Sequence, residues 1–246
     1  MALRDEIVPF IDGDGLVAPS LSGGQWKSSD NGVMYSSEYY VMLQKLGQLT
    51  AQDLIDFDQK MKSCLSPEGI LCRVPQPNVD GQEGPDDYFG LMNACVQLGN
   101  TDIPRKILWA FIRYFGFLNN DNPGTLTGSA FMARFPHLTA CMVSAAFPSW
   151  KNPLHIIARL ACFPIYVYAA IILLLGDSFT SVDDTDSRRL SWHQWQCLKG
   201  VSLLCKLGGR VWANRLYKDY GADGMKTVAK IYYHDDHPFG KYWITE

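Results

Sequence analysis

The sequence predicts an all-α protein made of about four antiparallel helical hairpins, arranged in a toroid-like or incomplete (α/α) barrel. Three observations lead to this fold class. Apolar residues recur at helical spacing along most of the chain. A pattern of two helices recurs at intervals of roughly 50 residues. Residues 152–176 are too apolar for a surface helix, since no residue between Leu160 and Leu175 is charged.

The composition is that of one folded domain with a mildly acidic surface. The 246 residues are 47% hydrophobic and carry a net charge of -3, which is enough apolar material for one large core. No basic stripe follows the chain, so we expect no nucleic-acid partner. We predict an irregular lead-in over residues 1–29 and a single helical domain over residues 30–246.

The N-terminus and the cysteines indicate a protein that is not secreted. Acidic side chains at Asp5 and Glu6 interrupt any continuous apolar run, so we expect no signal peptide and a cytoplasmic or virion-associated location. The cysteines are scattered and form no CxxC pair. This pattern indicates buried, reduced thiols rather than disulfides or zinc ligands.

Each predicted helix is bounded by residues that start or stop helices. Asp30 and Thr50 can cap the first two helices, and Gly47 and residues 67–69 end them. Pro104 lies in the first turn of the fourth helix, where proline is tolerated. The predicted helices cover approximately residues 30–46, 51–63, 88–98, 103–118, 129–146, 154–176, 188–207 and 211–233.

One short segment has strand character. Residues 70–74, Ile-Leu-Cys-Arg-Val, are rich in β-prone side chains and are followed by Pro75 and Pro77. We therefore predict one short β-hairpin near residues 69–75, between the second and third helices.

Two pairs of helices share the same sequence order, over residues 30–63 and 86–118. Each pair begins with an acidic residue and a tyrosine, continues as an apolar helix that ends at Leu-Gly, and resumes after a threonine. A repeat of two antiparallel helices predicts stacked hairpins, which either close into a toroid or continue as an open solenoid. The long apolar sixth helix favours closure, because a solenoid rarely buries one helix on all sides.

Over residues 26–118, these motifs resemble the (α/α) toroids of glycan hydrolases and lyases. The resemblance is carried by the Leu-Gly helix ends, the acid-plus-tyrosine helix starts and the Ile-Leu-Cys-Arg-Val run. It implies a carbohydrate-active hydrolase or lyase with dispersed carboxylates, although complete toroids of this group contain more hairpins than this chain. The compact chain with a tryptophan-containing tail also resembles phage-encoded proteins.

The hairpin arrangement predicts a functional site at one end of the bundle. Loops that precede the first helix of each hairpin lie on the same end, which gathers their polar residues into a cleft. The candidate acid/base groups are Asp30, Glu38, Asp86 and Asp87. The candidate substrate-binding residues, mostly aromatic side chains that can stack on sugar rings, are Trp26, Tyr35, Tyr39, Arg73 and Tyr88.

Each candidate also has a structural interpretation. Asp30 and Asp86 are suited to cap helices, Glu38 to face solvent, and the tyrosines to fill the core. The sequence contains no GxSxG, Walker or HExxH motif and no GxGxxG after a strand. Their absence argues against common hydrolases, nucleotide-binding enzymes and zinc proteases.

The sequence gives little support for a metal or a cofactor. His234 and His237 are spaced for metal binding, but no third ligand is identifiable. The acidic residues 183–186 match a solvated loop better than a calcium loop. We therefore expect no cofactor, and we expect His155 to be a hydrogen-bonded core residue.

Three functions remain open. The first is a glycan-active or glycan-binding protein with a polysaccharide ligand. The second is a non-enzymatic structural or assembly protein, such as a phage virion component, with a protein partner. The third is a membrane protein anchored by residues 154–176. We favour a protein core for this helix, because its uncharged run is shorter than the roughly 20 residues that span a bilayer.

Overall fold

The computed structural model describes residues 3–18, 20–22, 25–27, 32–72, 74–75, 85–116, 118 and 136–174. This part of the chain is mostly helical, which confirms the predicted all-α character. A short helix, α1 (Leu3–Ile7), and a 3-10 turn (Val8–Phe10) come first. The longer helices are α2 (Gly32–Lys45), α3 (Ala51–Ser63), α4 (Pro85–Leu98), α5 (Asp102–Arg113), α6 (Pro136–Ala146) and α7 (Pro153–Leu174).

Two short strands lie in the N-terminal segment. β1 (Ser20–Ser22) and β2 (Gln25–Lys27) pair in antiparallel orientation. The β-hairpin predicted near residues 69–75 is not confirmed, because the described part of that region contains one isolated antiparallel bridge, from Leu65 to Leu71. The apolar side chains of this turn are buried, so they contribute to the core rather than to a sheet.

Glycines end the first helices of the first two hairpins. Gly47 and Gly99 have φ angles of 66° and 74°, a conformation that glycine adopts without steric cost. The N–H groups of Gln48 and Asn100 bond to carbonyls five residues earlier, at 2.8 and 2.9 Å, which forms the long bond of a Schellman motif. These contacts confirm the helix ends predicted at Leu-Gly.

The second helix of each of these hairpins begins at a side-chain cap. At the start of α3, the hydroxyl of Thr50 accepts from the Asp53 N–H at 3.3 Å, and the Asp53 carboxylate accepts from the Thr50 N–H at 2.6 Å. This reciprocal capping box confirms the predicted cap. At the start of α5, the side-chain oxygen of Asn100 accepts from the N–H groups of Asp102 and Ile103, at 3.1 and 3.2 Å.

Helices α2 and α4 lie side by side and run in the same direction. The N–H of Met34 donates to Oδ1 of Asp87 at 3.1 Å, near the start of both helices. The side-chain amide of Gln44 donates to the carbonyl of Gln97 at 3.1 Å, near the end of both. Gly90 permits the close approach, because a Cβ atom there would lie 2.5 Å from Cγ of Met34.

The same spacing continues into a third hairpin. The second helices begin at Ala51, Asp102 and Pro153, so each begins 51 residues after the previous one. The guanidinium of Arg105 donates to the carbonyl of Ala146 at 3.1 Å, which places the start of α5 at the end of α6. Helix α6 therefore runs in the same direction as α4. The described helices form three stacked hairpins, α2/α3, α4/α5 and α6/α7, and closure into a toroid or barrel stays a prediction.

The N-terminal segment packs on the first hairpin. The N–H of Val17 donates to the hydroxyl of Ser36 at 2.8 Å. The guanidinium of Arg4 pairs with both carboxylate oxygens of Asp53 and donates to the carbonyl of Gln48 at 2.9 Å. Residues 3–18 therefore belong to the same core as the hairpins.

Candidate functional site

The first helices of the hairpins run parallel, so they all begin at the same end of the bundle. We call it the first-helix end and define it by Met34 and Tyr35 of α2, Asp87 and Tyr88 of α4, and the turn residue Leu71. Three residues of the predicted site are at this end: Asp87, which bonds to Met34, Tyr88, which bonds to Leu71, and Tyr35, which follows Met34 in α2. Their arrangement follows from the hairpin repeat, which aligns the first turns of neighbouring first helices.

Asp87 is the carboxylate at the centre of this end. It is fully buried, and its Oδ1 accepts from the Met34 N–H at 3.1 Å. N–H groups in the first turn of a helix lack intrahelical partners, and the positive end of the helix dipole favours a negative charge. Asp87 therefore caps α2 from the neighbouring hairpin. Its position supports a structural role, and its predicted catalytic role stays a prediction.

The two tyrosines of this end lie in the core. Tyr35 is 2% exposed and Tyr88 is fully buried. The hydroxyl of Tyr88 accepts from the Leu71 N–H at 3.1 Å, which attaches the turn after α3 to the start of α4. Rings buried in this way cannot stack on a sugar in the described conformation, so they support the surface above them rather than form it.

Glu38 lies one turn further along α2 and is also buried. Its side chain is 1% exposed, so the interpretation of Glu38 as a surface residue is wrong. Helical spacing could not show this, because α2 has buried residues all around its axis, including Ser36 and Ser37. A carboxyl group at this position could act on a substrate only if the end above it opened.

Tyr39 belongs to a different part of the molecule. Its ring packs edge-on against Tyr40 at a centroid distance of 5.2 Å, and Tyr40 packs against Phe57 of α3 at 5.4 Å. Burial is the main cause that raises the pKa of Tyr39, and the nearby Arg4 guanidinium opposes it. Tyr39 therefore faces α3 and the N-terminal segment, away from the contact between α2 and α4.

The structure describes the remaining predicted site residues only in part. Asp30, Arg73 and the proposed metal ligands His234 and His237 lie outside the described residues. For Trp26 and Asp86, the structure describes only the backbone, in β2 and in the first turn of α4. Asp86 comes directly before Asp87 in α4, and Trp26 lies in β2, six residues before the first residue of α2.

An aromatic and cationic cluster at the turn between α6 and α7 was missed by the sequence reasoning. Trp150 is 57% exposed, and the guanidinium of Arg159 lies 4.5 Å from its ring centroid. Such a contact is favourable because the ring face is electron-rich. The available signal was weak: His155 and Arg159 are four residues apart on α7, a spacing that places their side chains on one helix face.

His155 holds this cluster together. Its Nδ1 lies 2.5 Å from the carbonyl oxygen of Phe147, and its Nε2 accepts from the Arg159 guanidinium at 3.0 Å. A carbonyl oxygen can only accept, so Nδ1 is the donor in this contact and Nε2 is the acceptor from Arg159. The prediction of a buried, hydrogen-bonded histidine is confirmed, and the cluster closes the turn between α6 and α7.

The thiols and carboxylates show no further reactive grouping in the described ranges. Cys64, Cys95, Cys141 and Cys162 are buried free thiols, and the buried thiol of Cys72 donates to the carbonyl of Ile70 at 3.7 Å. Burial raises the pKa of Cys64 and Cys162 to about 12, which keeps these thiols protonated and unreactive. Among the residues that the structure describes, no three His, Cys, Asp or Glu side chains are grouped as metal ligands.

No helix in the described part of the chain combines the length and the apolarity needed to cross a bilayer.

Comparison with models of known protein families, with curated proteins and with solved structures finds no match to this chain. Functional conclusions therefore follow from the geometry and the chemistry of the residues themselves.

Proposed function

We propose that the protein binds or cleaves a polysaccharide at the first-helix end. The observation that carries this proposal is the contact between Met34 and Asp87 at 3.1 Å, which supports a common end for the starts of α2 and α4. The segments that precede these helices in the sequence are residues 26–31 and 73–84, and we place them at the same end of the bundle. They contain three of the predicted residues that are suited to contact a sugar chain, Trp26, Asp30 and Arg73.

The burial of the helical candidates divides the predicted residues into two groups. Asp87 and Tyr88 hold α2, α4 and the turn at Leu71 together, so they are positioning residues. Direct contact with substrate falls to Trp26, Asp30 and Arg73, which precede the helices, and to Asp86 in the first turn of α4. Cleavage would require two carboxyl groups separated by about 5–10 Å, one as the general acid and the other as base or nucleophile.

The test is a panel of purified polysaccharides, assayed for binding by affinity electrophoresis and for cleavage by new reducing ends. We expect Asp30→Asn and Asp86→Asn to abolish cleavage and Trp26→Ala to weaken binding. The matched controls are Asp102→Asn and Trp109→Ala, whose side chains are exposed at 71% and 46% on α5. Equal losses in the test and control variants, or the absence of binding by the parent protein, would contradict the proposal.

A second candidate function is that of a non-enzymatic assembly protein. It is favoured by one observation: α7 exposes large apolar side chains such as Leu160 and Phe163, at 69% and 62%. Apolar patches on a protein surface mark contact sites. Sedimentation across a range of concentrations tests this candidate, because self-assembly through α7 would require dimers or larger species that Leu160→Glu removes.

A further inference from the structure

Helix α7 has two apolar faces, and the described structure covers one of them. Its inner face is at most 2% exposed and consists of His155, Ala158, Cys162 and Ile165. Its outer face has side chains that are 38–69% exposed, namely Leu154, Ile156, Ile157, Leu160, Phe163 and Val167. A helix that faces water normally carries polar residues on that side. The outer face of α7 is therefore shaped for contact with another apolar surface.

The repeat indicates where the next element of the chain belongs. Helix α4 packs on α2, and α6 packs both on α4 and on α5, the second helix of the preceding hairpin. A next first helix that repeats the contacts of α6 would lie on α6 and α7. The side of α7 that such a helix would cover is the one that α6 leaves open.

The sequence after α7 contains a segment that fits this place. Residues 188–207 begin 52 residues after Pro136, close to the spacing of the described hairpins. One helical face of this segment is apolar, through Leu190, Cys197, Leu198, Val201 and Leu204, and further apolar residues lie around the rest of the helix, at Trp192, Trp195, Leu203 and Leu207. The open apolar face of α7 and an apolar face of this segment can pack against each other as neighbouring helices of a bundle do.

We propose that residues 188–207 form the first helix of a fourth hairpin and cover the outer face of α7 within the same chain. Helix α7 leads back to the first-helix end, since it follows α6 through a short turn and the Arg159 guanidinium reaches the Ser144 hydroxyl at 3.4 Å. The next first helix begins at that same end. The 13 residues from 175 to 187 need only cross to a neighbouring helix position, roughly 10 Å away, which is well within their reach.

The consequence is that α7 is an internal helix of the repeat. Its apolar outer face is then closed to a protein partner, to a second copy of the chain and to lipid. The assembly function described above would lose the surface that favours it, whereas the polysaccharide proposal would be unaffected. The two proposals can therefore fail separately.

The test uses the full chain with the photoreactive residue p-benzoylphenylalanine in place of Phe163, a conservative exchange at a site that is 62% exposed. Irradiation followed by peptide mass spectrometry should give crosslinks to residues 188–207. A mixture of isotope-labelled and unlabelled chains separates crosslinks within one chain from those between two. The same amino acid at Trp109 of α5 serves as the control and should not crosslink to that segment.

A second measurement avoids reliance on crosslinking yield. In the full chain, the thiol of Leu160→Cys should react with a maleimide at least about 10-fold more slowly than that of Trp109→Cys, at any protein concentration. Adding Leu198→Asp should bring the Leu160→Cys rate up to that of Trp109→Cys, while buried Cys95 stays unreactive and so reports an intact core.

Several outcomes overturn the proposal. Crosslinks between chains, or protection of Leu160→Cys that disappears on dilution, would assign the outer face of α7 to a second copy. Protection that appears only with phospholipid vesicles would assign it to a membrane. Equal labelling of Leu160→Cys and Trp109→Cys in the unmodified background, or crosslinks to any other part of the chain, would remove residues 188–207 as the covering segment.

Discussion

The contact between α2 and α4 at Gly90 carries the most direct stability prediction. We expect Gly90→Ala to lower the free energy of unfolding, although alanine is the better helix former. A Cβ atom at this position would lie 2.5 Å from Cγ of Met34 and 3.1 Å from its Cα. The Cγ atom belongs to a flexible side chain and can move, whereas the Cα atom can move only if the two helices separate.

The magnitude follows from two opposed effects. The exchange of glycine for alanine inside a helix contributes about 1 kcal/mol of stability from backbone entropy. The insertion of a methyl group into a close-packed contact typically costs about 1–3 kcal/mol, and the 3.1 Å backbone contact places this site in the upper part of that range. We therefore expect a net loss of about 1–2 kcal/mol, which corresponds to a drop of roughly 2–8 °C in Tm for a chain of this size.

The assay is urea unfolding followed by circular dichroism, with two glycine controls. Gly13→Ala meets nothing within 4 Å and should be neutral to within about 0.5 kcal/mol. Gly47→Ala also meets nothing within 4 Å but has a φ of 66°, so it should show the cost of the left-handed backbone alone, about 1–2 kcal/mol. A Gly90→Ala protein more stable than the parent by the helix-propensity gain would refute the close approach of α2 and α4.

Three further variants test other contacts. The hydrogen bond from its arginine partner lowers the pKa of Asp53 to about 2, below its ordinary value of 3.8, so this carboxylate stabilises the fold above pH 4 and that stabilisation is lost as the pH falls toward 2. The free energies of unfolding of the parent and Asp53→Asn, measured with urea, should therefore differ by about 1–2 kcal/mol at pH 7, after allowance for screening of the partly exposed arginine, and converge near pH 2; a constant difference would contradict the coupling. Gly69→Ala should cost at least about 2 kcal/mol in the same assay, because φ is 91° and the new Cβ would lie 2.7 Å from a backbone carbonyl oxygen of α5. Tyr88→Phe should cost about 1–2 kcal/mol, since it leaves the buried N–H of Leu71 without its acceptor, whereas Tyr114→Phe, at a partly buried ring, should be neutral.

The parts of the fold that the sequence predicted well depend on residues close together in the chain. The helix ends at Gly47 and Gly99 and the cap at Thr50 involve partners within five residues, so a short stretch of sequence is enough to predict them. The 51-residue spacing of the second helices follows from the same local units repeated. Hairpin order could therefore be predicted without knowledge of how the hairpins pack.

The candidate site was harder to predict, because its key contacts join different hairpins. Asp87 was proposed as an acid/base group, but its carboxylate accepts from an N–H that lies 53 residues earlier. A cap supplied by a neighbouring helix has no local signature. Glu38 lies in a helix whose buried residues surround its axis, so periodicity alone could not decide between core and surface.

In helix α7 too, the helix itself could be predicted from local sequence, whereas its packing depends on residues far away in the chain. Its sequence is apolar around the full circumference, a property shared by helices in lipid and by helices buried inside a protein. The contacts with α6 resolve one face as core, through His155, Ala158 and Cys162. The other face is also apolar, so it is stable only when another apolar surface covers it. The repeat makes the next hairpin of this chain the nearest such surface. The sequence of residues 188–207 predicts a helix but does not specify what that helix packs against. Slow maleimide labelling of Leu160→Cys in the monomeric full chain would show that it packs on α7.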